Sequence, residues 1–134
     1  MARIPTNIVR EFKDLDLSFQ AHPVRKDVNK HTGALAVVNA VKNIVLTAHY
    51  EKPFQPDVGS NIRKLLFENL DVVTAASIER EIEQTINNYE PRVKILKVSA
   101  NPDFDNNGFK VELQFSIVNL ADPITINLFL ERIR

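Results

Sequence analysis

The chain contains no cysteine at all. That excludes disulfides, thiolate metal centres and a cysteine nucleophile, and it fits a protein made in a reducing compartment. Tryptophan is also absent, so the aromatic platform on which a sugar ring usually stacks is missing. Neither sign of charge prevails: 17 lysines and arginines balance 17 aspartates and glutamates, leaving no net field to gather nucleic acid or an anionic membrane. No long hydrophobic run is present either. The most apolar stretch, residues 33–48, is interrupted by Asn39, Lys42 and Asn43, and residues 1–10 scatter their apolar side chains among polar ones. Neither a membrane span nor a secretory leader is expected. A chain of 134 residues suits one domain with one core.

What is there divides in the middle by period. Residues 1–28 read as an N-terminal arm with a short strand marked by Leu15, Leu17 and Phe19. Leu35, Val38, Val41, Val45 and Ala48 recur at helical spacing, predicting a helix over 33–48. Residues 50–59 hold Pro53, Pro56 and Gly59 and must be an ordered loop. Ser60 reads as the N-cap of a two-turn helix over 60–68 that uses Ile62, Leu65 and Leu66. Thr74 reads as the cap of a longer one, with Ile78, Ile82, Ile86 and Tyr89 inward and Glu79, Arg80, Glu83, Gln84 and Asn87 toward water. Pro91 ends it.

Beyond Arg92 the pattern alternates. Val111, Leu113, Phe115 and Ile117 oppose Lys110, Glu112, Gln114 and Ser116, and Ile124, Ile126, Leu128 and Leu130 repeat the pattern. A further strand over 93–100 slips phase at Leu96, as a bulge would make it do. Turns at 101–108 and 121–123 complete the reading: an α+β fold with an N-terminal arm and short strand, two to three helices, then a three-stranded antiparallel meander.

Candidate chemistry is sparse. Asp103, Asp105, Asn107 and Gly108 match the first half of a calcium loop, but Gln114 stands where the bidentate glutamate belongs and the flanks are strands, so a polar hairpin turn is the better reading. His22, His31 and His49 lack ligand spacing. Ser18, Ser60, Ser77, Ser99 and Ser116 lack a nucleophile elbow. Glu79, Glu81, Glu83 and Glu90 cluster as glycosidase carboxylates would, yet Glu79 and Glu83 share a helix face with Arg80, the pattern of a solvated surface. No catalytic residue, cofactor or metal is expected. Glu90, Pro91 and Arg92 form a rigid corner that reads, on physics alone, as a turn with an internal ion pair.

Glu51, Pro53, Phe54, Pro56, Gly59 and Ser60, continuing to Leu65, Leu66, Phe67 and Glu68, with Tyr89, Glu90, Pro91, Arg92 and Val93 further on, resemble the phage baseplate wedge family that initiates the contractile sheath. A type VI secretion component belongs to the same group. The likeness runs over residues 29–134, taken as the wedge domain, and departs from the family at Val58, where an aromatic residue is common. It implies a structural part of the virion's tail baseplate, assembled in the host cytoplasm, or of a related injection system. The implied partners are other wedge subunits, the sheath protein, and tube or inner baseplate proteins, with no nucleic acid and no membrane. The resemblance moves Glu90, Pro91 and Arg92 to a contact with the helical core bundle of wedge subunits, Arg92 offering a planar fork. It makes Ile124, Thr125, Ile126, Asn127, Leu128, Phe129 and Leu130 a sheath-docking strand that accepts a partner strand at its edge. A cell-wall lysozyme, a label attached to the family by name, is the alternative from another class, and a soluble adaptor on the same fold is a third.

Overall fold

The computed structural model describes residues 12–16, 20–21, 23–27 and 30–133, the side chains of Lys30 and His31 excepted. Leu17, Phe19 and His22 lie outside the described residues. Within them the order is β1 (Lys13–Leu15), β2 (Lys30–Thr32), α1 (Ala34–Leu46), α2 (Ile62–Leu65), α3 (Val72–Tyr89), β3 (Val93–Asp103), β4 (Gly108–Ile117) and β5 (Ile124–Glu131). Strands β3, β4 and β5 form an antiparallel meander with β4 central, and β1 pairs with β2 in a separate two-stranded ribbon. The fold is α+β in two layers, α3 lying against β3 with α1 beside it.

The alternating pattern of β4 makes it the floor of the core. Phe109, Val111, Leu113, Phe115 and Ile117 are fully buried under Val37, Val41 and Val45 of α1 and Ile78, Ile82 and Ile86 of α3. Removing each such side chain from water contributes about 1.5–3 kcal/mol. The phase slip of β3 is a register shift between Ile95 and Lys97 that turns Leu96 out to solvent.

Several expectations are corrected. The inward stripe of α1 is Ala36, Val37, Val41 and Val45; Leu35 is exposed, and Ala48 lies past the helix end in a parallel bridge to Ser60. Four consecutive apolar residues, Leu35 to Val38, leave the phase to tertiary packing. Helix α2 is one turn, begins after Asn61, and has no side-chain cap; the Ser60 hydroxyl instead donates to Val45 O at 2.8 Å. Helix α3 starts a turn's fraction earlier than Thr74, because Asp71 is the cap and its carboxylate accepts from Thr74 N at 2.7 Å. Glu79 is half-buried, not turned to water: its Oε1 accepts the backbone N–H of Ala100 at 2.6 Å. Strand β3 runs on through Asn101 and Pro102 to Asp103, so the turn is shorter than expected, and β2 is a strand its polar sequence did not announce.

Candidate functional site

The two motifs singled out in the sequence meet at one end of the helical layer. The loop after α1 is pinned at its base, where Ser60 N–H donates to Thr47 O at 2.8 Å and the buried Ser60 hydroxyl reaches Val45 O. Gly59, at φ +141°, allows that closure: a Cβ there would stand 2.7 Å from Ala48 C and 2.8 Å from Ala48 O. Inside the loop, Tyr50 N–H donates to Pro56 O at 2.9 Å, and Glu51 Oε2 accepts from Ala48 N at 2.8 Å. Pro53, Phe54 and Pro56 form an exposed tip. His49 Nδ1 hydrogen-bonds Asp57 O at 3.0 Å, so this histidine serves the loop's own backbone.

Asp57 O also accepts from the Tyr89 hydroxyl, which ties the loop to the end of α3. The next residue, Glu90, is the helix C-cap and is buried; Pro91 then turns the chain outward and Arg92 folds back. Arg92 Nε donates to Glu90 Oε1 at 2.6 Å and Nη2 donates to Glu90 Oε2 at 2.8 Å, a two-pronged fork within one corner. Its third nitrogen, Nη1, stands 3.6 Å from Asp14 Oδ2 in β1, and its Cζ lies 5.2 Å from the centre of the Phe12 ring. Glu90 beside it raises the Arg92 pKa, so the cation is permanent. The corner thus gathers α3, β3 and the β1 ribbon around one guanidinium, the internal pair that the residues alone suggested. The sequence could not show Phe12 and Asp14, which lie 80 and 78 positions away. Between α1, the loop and this corner runs a groove of about 390 Å³, walled by Asn43, Ile44, Thr47, Lys52, Tyr89 and Glu90.

The third candidate, β5, lies at the edge of the sheet. Arg132 N–H donates to Asn107 O at 2.9 Å, and backbone groups of an antiparallel strand alternate in direction. Ile124, Ile126, Leu128 and Leu130 therefore direct their backbone groups to β4, while Thr125, Asn127, Phe129 and Glu131 direct theirs away from the sheet. Ile133 keeps the same parity, its N–H donating outward to Leu66 O at 3.0 Å. The opposite edge is blunted. On β3, Ala100 N–H is taken by Glu79, Val93 N–H by Glu90 O at 3.2 Å, Pro102 has no donor, and the bulge breaks the line at Leu96. Beneath the C-terminal end of β5 lies an apolar groove of about 220 Å³, walled by Leu46, Ile62, Leu66, Leu130 and Ile133.

The calcium-like turn is a hairpin stapled by its own side chains. Asp103 accepts from Lys110 Nζ at 2.6 Å and from Asn106 Nδ2 at 2.8 Å, and those partners, Lys110 first, hold its carboxyl down at about 2. Among the described residues no group of three or more histidines and carboxylates is gathered as metal ligands would be.

A family model described as baseplate wedge protein gp25 matches residues 31–120. Baseplate wedge protein gp25 of Enterobacteria phage T4 is 34% identical over 118 residues, covering 88% of this chain and 89% of that protein. Among solved structures, the anti-feeding prophage baseplate contains a chain that superposes with a TM-score of 0.73 at 21% identity, over 84% of this chain and 90% of its own. A candidate tail lysozyme of Geobacter sulfurreducens gives 0.61 at 22% identity, over 71% of this chain and 88% of its own.

Proposed function

The chain belongs to the baseplate wedge protein gp25 family, and from that premise we propose that it is a non-enzymatic structural part of a contractile-tail baseplate, assembled in the host cytoplasm, that joins the core bundle of wedge subunits to the first sheath ring. The Glu90, Pro91 and Arg92 corner, with the groove beside it, is the wedge contact. The edge of β5 is the sheath contact, where a strand of the sheath protein extends the meander.

The observation that carries this reading is the asymmetry of the sheet. One edge is blunted by a side chain, a proline and a bulge, while the other presents the backbone groups of Thr125, Asn127, Phe129 and Glu131 in one line. A strand laid along that edge would take up those groups as the fourth strand of the sheet. The apolar groove below Leu130 gives such a strand a place for one inward-facing side chain, since a cavity of about 150 Å³ already holds benzene.

Proline scanning of β5 tests it. Asn127→Pro deletes an outward donor that no strand among the described residues uses, and an edge strand tolerates proline there, so the protein stays folded and capture of purified sheath protein is lost. Ile126→Pro deletes a donor to β4 and unfolds the meander. Sheath capture undiminished in Asn127→Pro would sink strand addition. The lysozyme reading rests on the likeness to the Geobacter protein and on the glutamate cluster. Three of its four carboxylates are engaged, Glu79 by Ala100 N–H, Glu81 by Asn61 N–H and Glu90 by Arg92, while Glu83 lies on the exposed face of α3. A purified sample that clears a murein suspension, with the clearing lost in a glutamate variant, would restore it.

A further inference from the structure

The tip of the loop holds strained backbone around side chains that contribute nothing to the core. Phe54 has φ +64° and is 102% exposed; Tyr50 has φ +67° and is 79% exposed. An L residue in the left-handed region carries a steric strain that glycine avoids, and a phenyl ring left in water forgoes its whole burial free energy. On grounds of folding, both positions favour glycine. Neither strain nor exposure arises from a slack loop. Tyr50 N–H holds Pro56 O, Gln55 N–H holds Lys52 O at 3.3 Å, Val58 N–H holds Gln55 O at 3.2 Å, and Pro53 and Pro56 fix their own φ on either side of the ring. The ring is held out on a preorganised support, so little ordering remains to be done when it meets a partner.

We infer that Phe54 is an anchor that inserts into an apolar pocket of a neighbouring wedge subunit, with Tyr50 at the pocket's rim. The inference rests on the assembly reading above and goes beyond it, because that reading placed the wedge contact at the Glu90 corner and its groove and gave the tip of the loop no part in it. Three observations choose this occupant. The loop and the corner are one body, joined through the Tyr89 hydroxyl on Asp57 O, and both wall the same groove, so Phe54 extends the corner's surface outward. Glu51, Lys52 and Asp57 are the charged residues of the loop and include a single cation, so there is no basic cluster for a bilayer or for nucleic acid. The ring also sits apart from the β5 edge: the loop's ties run to α1 and the end of α3, whereas β5 ends against Leu66. Side chains that fill well-packed, desolvated pockets carry most of an interface's binding energy.

The test separates folding from binding. Phe54→Gly relieves the left-handed strain, so its thermal midpoint stays level or rises, while its affinity for the purified wedge subunits of the same tail falls about 30-fold, the size of a hot-spot truncation. Phe54→Leu recovers part of the loss, and affinity for purified sheath protein is unchanged in both. Wedge binding by Phe54→Gly equal to that of the unsubstituted chain overturns the inference and leaves the assembly reading standing. If the unsubstituted chain binds no wedge subunit, the assembly reading itself fails and takes the inference with it. Self-association in sedimentation that disappears in Phe54→Gly would make a second copy the occupant, and would overturn the inference as stated.

Discussion

Replacing Arg92 by alanine removes one arm of a fork whose other arm is buried. The Glu90 side chain is 8% exposed and that of Arg92 26% exposed, so the variant leaves a carboxylate with little water in reach. Deleting one partner of a fully buried pair costs about 3–5 kcal/mol. A quarter of the Arg92 side chain is wet, and screening there brings the cost down to about 2–3 kcal/mol. Loss of the ring contact to Phe12 adds about 0.5–1 kcal/mol, while the 3.6 Å approach to Asp14 adds little. A total near 3 kcal/mol lowers the thermal midpoint of a chain this size by roughly 10 °C. Calorimetry and urea titration of the isolated protein measure it, with Glu90→Gln and the double variant closing a cycle. The double variant should be less destabilised than the sum of the two singles, because the buried charge has gone. A loss below about 1 kcal/mol for Arg92→Ala would refute the internal clamp. The corner would then exist for its partner alone.

Two further outcomes follow from single contacts. Gly59→Ala drives a Cβ to within 2.7 Å of the Ala48 carbonyl carbon at a φ of +141°, against backbone that Ser60 holds in place, and it should cost about 3 kcal/mol in urea titration, with the loop's amides losing exchange protection. Asp103 has its folded pKa lowered from 3.8 to about 2 by Lys110 first and Asn106 next. A lowered folded value means that its contribution is complete above about pH 4 and disappears as the pH falls toward 2. In Asp103→Asn the urea midpoint between pH 6 and pH 2 should therefore fall less steeply than in the unsubstituted chain.

Elements governed by period were legible in the sequence. Ile78, Ile82 and Ile86 could face only one way, and the alternation of β4 and β5 settled both their faces and their antiparallel order. The misjudged places depend on contacts between distant residues. Ser60 looks like a cap because serine precedes a helix, but its hydroxyl reaches back 15 residues to Val45 O. Glu79 sits on a polar stretch of helix, and only the fold brings Ala100, 21 residues on, beneath it. Asp71 and Thr74 are both able to cap, and a single sequence offers no means to choose. Strand β2, composed of Lys30, His31 and Thr32, has no apolar alternation and exists through its pairing with β1. The site followed the same division: its motifs stood out as loop and corner, whereas Phe12 and Asp14 around Arg92 did not.

The blunt edge of β3 limits how many molecules can stick together without help. A fibre built edge to edge requires two adhesive sides per molecule, one for the neighbour above and one for the neighbour below. With Glu79, Pro102 and the bulge disabling one side, copies of this chain meeting through β5 exhaust their capacity at two, as a closed two-fold pair. Among the described residues the geometry of the three-stranded sheet opposes runaway stacking, and a dimer is the expected end of association by that route.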